Sequence, residues 1–184
     1  NKKFLMRIIS GLYKSRKIIA PKNLPVRPTT DMAKESLFNI LNNHFYFDDI
    51  SVLDLFAGTG NISYEFASRG TEQITCVDQD FGCIKFINET AEKFKMPIQT
   101  IKSDVFKFLE KTSMQADVIF ADPPYSFSVG QFSKIPELIF QNNILLEGGI
   151  LIIEHSKHTD LASLNHYSYS KSYGGNMFSF FETE

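Results

Sequence analysis

A chain of 184 residues with 43% hydrophobic and 22% charged residues can bury one substantial core and is too ordinary in composition to be fibrous or disordered. No apolar run approaches the roughly 18 residues of a membrane helix and no signal peptide is visible. Cys76 and Cys83 lack metal-type pairing and read as free thiols in a reduced, cytoplasmic compartment.

The net charge of −2 hides an asymmetry. Residues 1–28 carry eight Lys/Arg and no acid, which leaves eleven Lys/Arg against all 21 acids in the remainder. This divides the chain into a basic arm, 1–28, and an acidic body, 29–184. The arm is where a phosphate backbone would be held, through Arg7, Lys14, Arg16, Lys17 and Arg27. The plainer alternative is a solvated terminal hairpin.

In chain order, Arg7–Ser10 and Lys17–Ala20 read as two short strands about a turn containing Gly11 and Ser15, and Pro21, Pro25 and Pro28 mark an extended linker. Thr29-Thr30-Asp31 offers caps for a helix with Ala33, Leu37, Ile40 and Leu41 on one face. From residue 51 the pattern repeats as strand, loop, helix. Strands are expected at Ser51–Phe56, Gln73–Val77, Ile98–Lys102, Ala116–Ala121 and Gly149–His155. Helices are expected at Asn61–Ser68, Phe81–Phe94, Val105–Lys111 and Ile135–Phe140. Tyr167–Tyr173 and Met177–Glu182 form a closing hairpin. Continuous apolar strands alternating with helices predict an α/β fold whose mainly parallel sheet is covered on both faces.

Three acids end three successive strands: Asp54, Asp78 and Asp104. Asp54 opens Asp54-Leu55-Phe56-Ala57-Gly58-Thr59-Gly60, a glycine loop at the carboxyl edge, where open α/β sheets bind ligands. The dinucleotide fingerprint wants a third glycine at position 63, where Ser63 stands. Asp78 at the next strand end suits two ribose hydroxyls, and the whole set fits S-adenosylmethionine better than NAD. Taken singly, each acid is as readily a helix cap.

Asp122-Pro123-Pro124-Tyr125 ends the fourth strand. Two prolines stop the strand, so the Asp122 side chain and the Pro123 carbonyl can point out of its carboxyl end with an aromatic ring beyond them. Acceptors beside a flat ring suit a nucleobase with an exocyclic amine, the arrangement of base amino-methyltransferases. Carbon-5 base methylation is disfavoured because neither cysteine follows a proline. Glu154-His155-Ser156-Lys157-His158 lacks the metalloprotease spacing, and no metal is expected.

Over nearly its whole length the chain resembles the bacterial 16S rRNA guanine-N2 methyltransferases of the class I, Rossmann-like type. The resemblance rests on Arg7-Ile8-Ile9-Ser10-Gly11, Arg27-Pro28-Thr29-Thr30-Asp31 through Glu35-Ser36-Leu37-Phe38-Asn39, the glycine loop, Ser68-Arg69-Gly70, Asp122-Pro123-Pro124-Tyr125 and Tyr173-Gly174. The Arg-Pro-Thr-Thr-Asp stretch is the more specific marker. Asn61-Ile62-Ser63 departs from the family's smaller or aliphatic residues, with a local effect expected.

The resemblance implies a seven-stranded sheet with a C-terminal antiparallel hairpin and a small N-terminal hairpin arm. It implies S-adenosylmethionine as cofactor, with S-adenosylhomocysteine as product. Asp54, Gly58 and Gly60 would line its methionine part, Asp78 would hold its ribose and Asp104 would meet its adenine, with Phe56, Ala57, Thr59, Gln79 and Val105 also among the cofactor-binding residues. Asp122, Pro123, Pro124 and Tyr125 would hold the base. The implied partner is 16S rRNA, within a small-subunit assembly intermediate and met by a monomer. The competing functions are a DNA adenine-N6 methyltransferase and a non-catalytic RNA-binding assembly factor of the same fold.

Overall fold

The computed structural model describes residues 4–26 and 29–184, so Arg27 and the first three residues lie outside the described part. A two-stranded hairpin, β1 (Phe4–Arg7) and β2 (Lys17–Ala20), leads through the linker to α1 (Asp31–Asn42). The αβ repeat then runs β3 (Ser51–Leu55), α2 (Asn61–Ser68), β4 (Gln73–Asp78), α3 (Phe81–Phe94), β5 (Ile98–Lys102), α4 (Val105–Lys111) and β6 (Ala116–Ala121). It closes with α5 (Val129–Gln141), β7 (Leu145–Ser156), β8 (Tyr167–Tyr173) and β9 (Asn176–Glu182).

Seven strands form one sheet in the order β5-β4-β3-β6-β7-β9-β8, apart from the hairpin sheet. The five strands from β5 to β7 are parallel, and β9 pairs antiparallel with both β7 and β8. Successive strand residues divide between two cores. Val52, Val118, Phe120, Ile150 and Ile152 pack with α1, α2 and the hairpin, while Leu53, Leu55, Ile119, Leu151 and Ile153 pack under α4 and α5. That two-sided burial is why these strands carry no polar face. The chain runs outward from β3 through β4 to β5, then returns to β6 on the other side of β3. The crevice for a ligand opens at this reversal.

The helices begin where short polar side chains can cap them. Thr30 Oγ1 accepts from the Ala33 amide (3.2 Å), Asp80 Oδ1 from Cys83 (2.8 Å) and Asp104 Oδ1 from Lys107 (3.0 Å). At α5, Ser128 and Gln131 form a reciprocal capping box, so this helix starts at Val129 and not near Ile135. Its first turns contain Gly130 and only one buried apolar residue, Phe132, and so lack a helical apolar period in the sequence. Likewise β7 starts at Leu145 and not at Gly149. Leu145 pairs with Ala116 and Ile150 with Val118, so residues 146–149 form an irregularity in the ladder, with Gly148 at φ +78°.

The expected strand Arg7–Ser10 is displaced to Phe4–Arg7. The Ile9 and Ser10 amides leave the hairpin ladder and donate to the Glu65 carboxylate on α2 (2.8 and 3.1 Å). The arm is not a free appendage. Met6, Ile8, Ile18 and Ala20 are buried in the main core. Its turn docks on α2: Ser68 Oγ donates to Ser10 O (2.6 Å), accepts from the Tyr13 amide (3.0 Å), and Ser68 O accepts from Leu12 (2.7 Å). Gly11 is required there, because a Cβ would lie 2.0 Å from Ser68 O. The Arg-Ile-Ile-Ser-Gly and Ser-Arg-Gly segments are therefore the two halves of one contact.

Candidate functional site

A cleft of about 780 Å³ opens at the carboxyl ends of β3, β4, β5 and β6, a size suited to one nucleoside-like ligand. It gathers Asp54, Phe56, Ala57, Gly58, Thr59, Asp78, Gln79, Asp104, Val105 and all of Asp122-Pro123-Pro124-Tyr125. Gly60 is not on the wall. It sits behind the loop at φ +82°, at the N-cap of α2, where a Cβ would press within 2.8 Å of the Tyr64 ring. Its part is to let the loop turn into the helix.

The glycine loop owes its shape to three left-handed residues, Phe56 (φ 54°), Gly58 (φ 57°) and Gly60. Asp78 holds this loop from the next strand. Its Oδ2 accepts the Gly58 amide (2.9 Å) and its Oδ1 the Asp80 amide (2.8 Å). Each oxygen keeps a lone-pair position for a ligand. Asp54 is buried, and Ser63 Oγ donates to it (2.7 Å). Burial pushes the Asp54 carboxyl up to about 7, against the Ser63 hydrogen bond, with the charge of Asp78 adding to the rise. Asp104 is exposed at the rim, where it also caps α4.

Five acidic side chains line the cleft (Asp54, Asp78, Asp80, Asp104 and Asp122), the buried Asp54 being only part-ionised near neutral pH, with no Lys or Arg among the described lining residues. Such a field repels a phosphate and favours a cation, which argues against a dinucleotide and for a sulfonium with an ammonium group. The residues present therefore fit S-adenosylmethionine.

Three phenylalanines make an aromatic wall at one side. Phe106 and Phe127 are near-parallel with centroids 5.9 Å apart, and Phe56 meets Phe127 edge-on at 5.6 Å. Phe106 and Phe127 are not legible as site residues among 18 phenylalanines, although each stands two residues past a site residue, Asp104 and Tyr125. The linker supplies the roof. Pro25 and Val26 line the cleft, and Val26 fills the space beside Gly58 that a Cβ would need. Asn61 reaches further than expected: its Oδ1 accepts from Lys34 Nζ (3.0 Å) and its Nδ2 donates to Thr29 O (3.3 Å), tying α2 to α1 and the linker.

At the Asp-Pro-Pro-Tyr turn, the Asp122 amide reaches Leu55 O (3.4 Å), bringing the β6 and β3 ends together, and Phe127 N closes the turn on Pro124 O (3.1 Å). Pro123 is buried and the Tyr125 ring is 42% exposed. Both thiols are buried, and burial raises each above its ordinary value, which disfavours the thiolate a nucleophile needs. No cluster of potential metal ligands occurs among the described residues. No helix among them is long and apolar enough to cross a membrane.

A sheet of this order with a glycine loop, strand-end acids and an acidic cleft defines the class I, S-adenosylmethionine-dependent methyltransferases. Within that class, residues 6–182 match the family described as conserved hypothetical protein 95, and the chain belongs to it. Ribosomal RNA small subunit methyltransferase D of Haemophilus influenzae is 29% identical over 176 residues, covering 93% of this chain and 89% of the relative. The protein of the same name from Buchnera aphidicola subsp. Baizongia pistaciae is 32% identical over 152 residues, covering 81% and 75%. Among solved structures, the candidate methyltransferase yhhF of Escherichia coli has a TM-score of 0.86 at 26% identity, over 98% of this chain and 99% of that one. A Thermus thermophilus 16S rRNA N2 methyltransferase, solved with AdoMet and guanosine, shares the fold at TM-score 0.74 and 20% identity, over 100% of this chain and 50% of that one.

One measurement tests the cofactor side of the cleft. Asp78→Ala is expected to weaken S-adenosylmethionine binding by about 1.5–3 kcal/mol, the cost of charge-assisted hydrogen bonds. Asp78→Asn, which keeps one acceptor, should lose less. Unchanged affinity by calorimetry in the folded Ala variant would remove Asp78 from the cofactor site.

Proposed function

We propose that the chain transfers a methyl group from S-adenosylmethionine to the exocyclic N2 amine of a guanine in 16S rRNA. The observation that carries this reading is the meeting, in one acid-lined cleft, of the glycine loop and the Asp122–Tyr125 turn. A cation binds on the first side and an amine-bearing base fits the second. The relatives named for small-subunit rRNA methylation support the substrate.

Bound S-adenosylmethionine supplies an electrophilic methyl on a sulfonium. The protein's task is the nucleophile. Guanine N2 is poor because its lone pair is delocalised into the ring. Asp122 and the Pro123 carbonyl accept its two N–H groups and so favour a pyramidal nitrogen whose lone pair faces the cofactor side. Tyr125 stacks on the extruded base, whose unstacking costs a few kcal/mol in a duplex and less in a loop. As the N–C bond forms, the methyl's bond to sulfur would break to leave neutral S-adenosylhomocysteine, and the proton shed by nitrogen would pass to water or to Asp122. Orientation and the fixed field of the carboxylates supply the rate.

Asp54, Phe56 to Thr59 and the Gly60 turn hold the methionine part, Asp78 and Gln79 the ribose, and Asp104 and Val105 the adenine, against Phe106 and Phe127. The substrate is rRNA within a small-subunit assembly intermediate, in the cytoplasm, and the enzyme acts as a monomer. Mapping modified nucleosides by mass spectrometry, after incubation with 16S rRNA free and in assembled subunits, tests this. N2-methylguanine is expected, whereas N6-methyladenine or no product overturns it.

For RNA retention we propose the hairpin. Lys14, Arg16 and Lys17 are exposed. The hairpin turn sits at the C-terminal ends of α2 and α3, where Tyr13 Oη donates to Phe94 O (2.6 Å). Since both helices begin at the cleft, this places the turn roughly 12–20 Å from it. RNA would therefore lie along the hairpin side of the domain, with the target base reaching over the rim. Arg7 is partly engaged, in an exposed pair with Asp31 (3.0 Å), and Arg27 lies outside the described residues.

Replacing Lys14, Arg16 and Lys17 by Ala is expected to weaken RNA binding and reduce the log–log salt slope by about 0.7–0.9 for each phosphate no longer neutralised, with cofactor affinity intact. An unchanged slope would return the hairpin to the status of a solvated face. Deleting residues 1–20 is the wrong test, because it removes buried core.

A further inference from the structure

The Tyr125 side chain is held from outside its own turn. Its hydroxyl meets Oδ1 of Asn176, the first residue of β9. Asn176 Nδ2 donates to Glu154 Oε1 (3.1 Å), and Thr29 Oγ1 donates to Glu154 Oε2 (2.7 Å). Glu154, on β7, is fully buried and Thr29 nearly so, whereas the Tyr125 ring is exposed. The fixed end of this chain is thus in the core and the working end is at the rim.

The polarity of the chain follows from its anchor. A carboxylate accepts only, so the Asn176 amide nitrogen faces Glu154 and its carbonyl oxygen faces Tyr125. The tyrosine hydroxyl is then the donor, and its proton is committed away from any base. Tyr125 carries the aromatic ring of the turn, and the tether restrains the plane of that ring. The two prolines fix their own φ angles, but they do not fix the rotamer of an exposed side chain that follows them. A stacking ring must be held to within some 10–20° to orient its partner.

We infer that Asn176, anchored by Glu154 and Thr29, is a positioning residue of the transfer reaction that sets the Tyr125 ring against the base. This rests on the guanine-N2 reading above. It also gives Thr29 a task next to the Thr30 cap of α1, and it makes the tip of the β8–β9 hairpin part of the site.

The test compares Asn176→Ala, Tyr125→Phe and the double variant with the wild-type chain on 16S rRNA, alongside S-adenosylmethionine calorimetry and thermal melting. Each single variant should lose about 10-fold in kcat/KM, as expected of a slightly misplaced reacting group, with cofactor affinity unchanged. The double variant should be no worse than Tyr125→Phe, because both changes cut the same tether. Losses that multiply in the double variant, or a loss that only tracks a lowered melting temperature, overturn the assignment.

A substrate-free measurement separates this outcome from failure of the functional reading. In protein labelled with 3-fluorotyrosine, the Tyr125 signal is identified by its disappearance in Tyr125→Phe, and it should shift in Asn176→Ala. An unmoved signal overturns the tether. A wild-type chain that leaves guanine unmethylated overturns the guanine-N2 reading, and with it the role of the tether in transfer.

Discussion

Asp122→Ala is expected to lower methyl transfer by about 10²–10³-fold or more, the scale of losing one preorganised group at a reacting centre. S-adenosylmethionine affinity should stay close to wild type, since Asp122 is proposed to hold the base and not the cofactor. Asp122→Asn should keep part of the activity. Both Asp and Asn present an oxygen to the amine, and Ala presents none. The comparison therefore separates two uses of the same side chain. If Asn is as inactive as Ala in single-turnover assays, the carboxylate's charge or its action as a base carries the rate, and orientation alone does not. Near-wild-type turnover in the Ala variant would remove the Asp-Pro-Pro-Tyr turn from the chemistry.

Glu65→Ala should produce the largest loss of stability, about 3–5 kcal/mol, because it leaves a buried cation without its partner. Glu65 and Lys34 are 0% and 1% exposed and 3.6 Å apart. Arg69 Nε donates to Glu65 as well (2.9 Å), while Lys34 Nζ also reaches Arg7 O and Asn61 Oδ1. One carboxylate thus gathers the hairpin amides, α1 and the end of α2.

The pH dependence gives this prediction a second reading. Desolvation lowers the Lys34 ammonium below its ordinary value even though Glu65 opposes the shift. The folded state therefore releases this proton before the unfolded state does. That contribution to stability rises with pH between the lowered value and the ordinary lysine value. Removing Glu65 lowers the Lys34 value further, so the variant starts to gain stability at a lower pH: the defect should shrink as pH is raised from the variant's Lys34 value to the wild-type one and stay constant above it. A pH-independent loss in urea melts would mean that packing, not the buried charge, sets the cost.

Much of the αβ repeat is legible in the chain by itself. Asn61–Ser68, Ile98–Lys102, Val105–Lys111 and Ala116–Ala121 follow from runs of one period bounded by glycine, proline or a capping acid, and these are local physics. The same is true of the strand-end acids: a residue ending a parallel strand is carried to the carboxyl edge whatever its neighbours are.

What only the tertiary structure decided depends on partners distant in sequence. The first strand stops at Arg7 because Glu65 takes the next amides. Irregular pairing with Ala116 and Val118 extends β7 back to Leu145. Phe106 and Phe127 become a cleft wall only when α4 and the turn before α5 meet, and nothing in either segment distinguishes them from core phenylalanines. The hairpin looks like a basic arm because charge is visible along a sequence, whereas the burial of Met6, Ile8, Ile18 and Ala20 is not. Asn176 carries no local signal at all. Its role exists only because a buried glutamate on one strand, a threonine in the linker and a tyrosine after β6 are brought to the same point by the closing of the sheet.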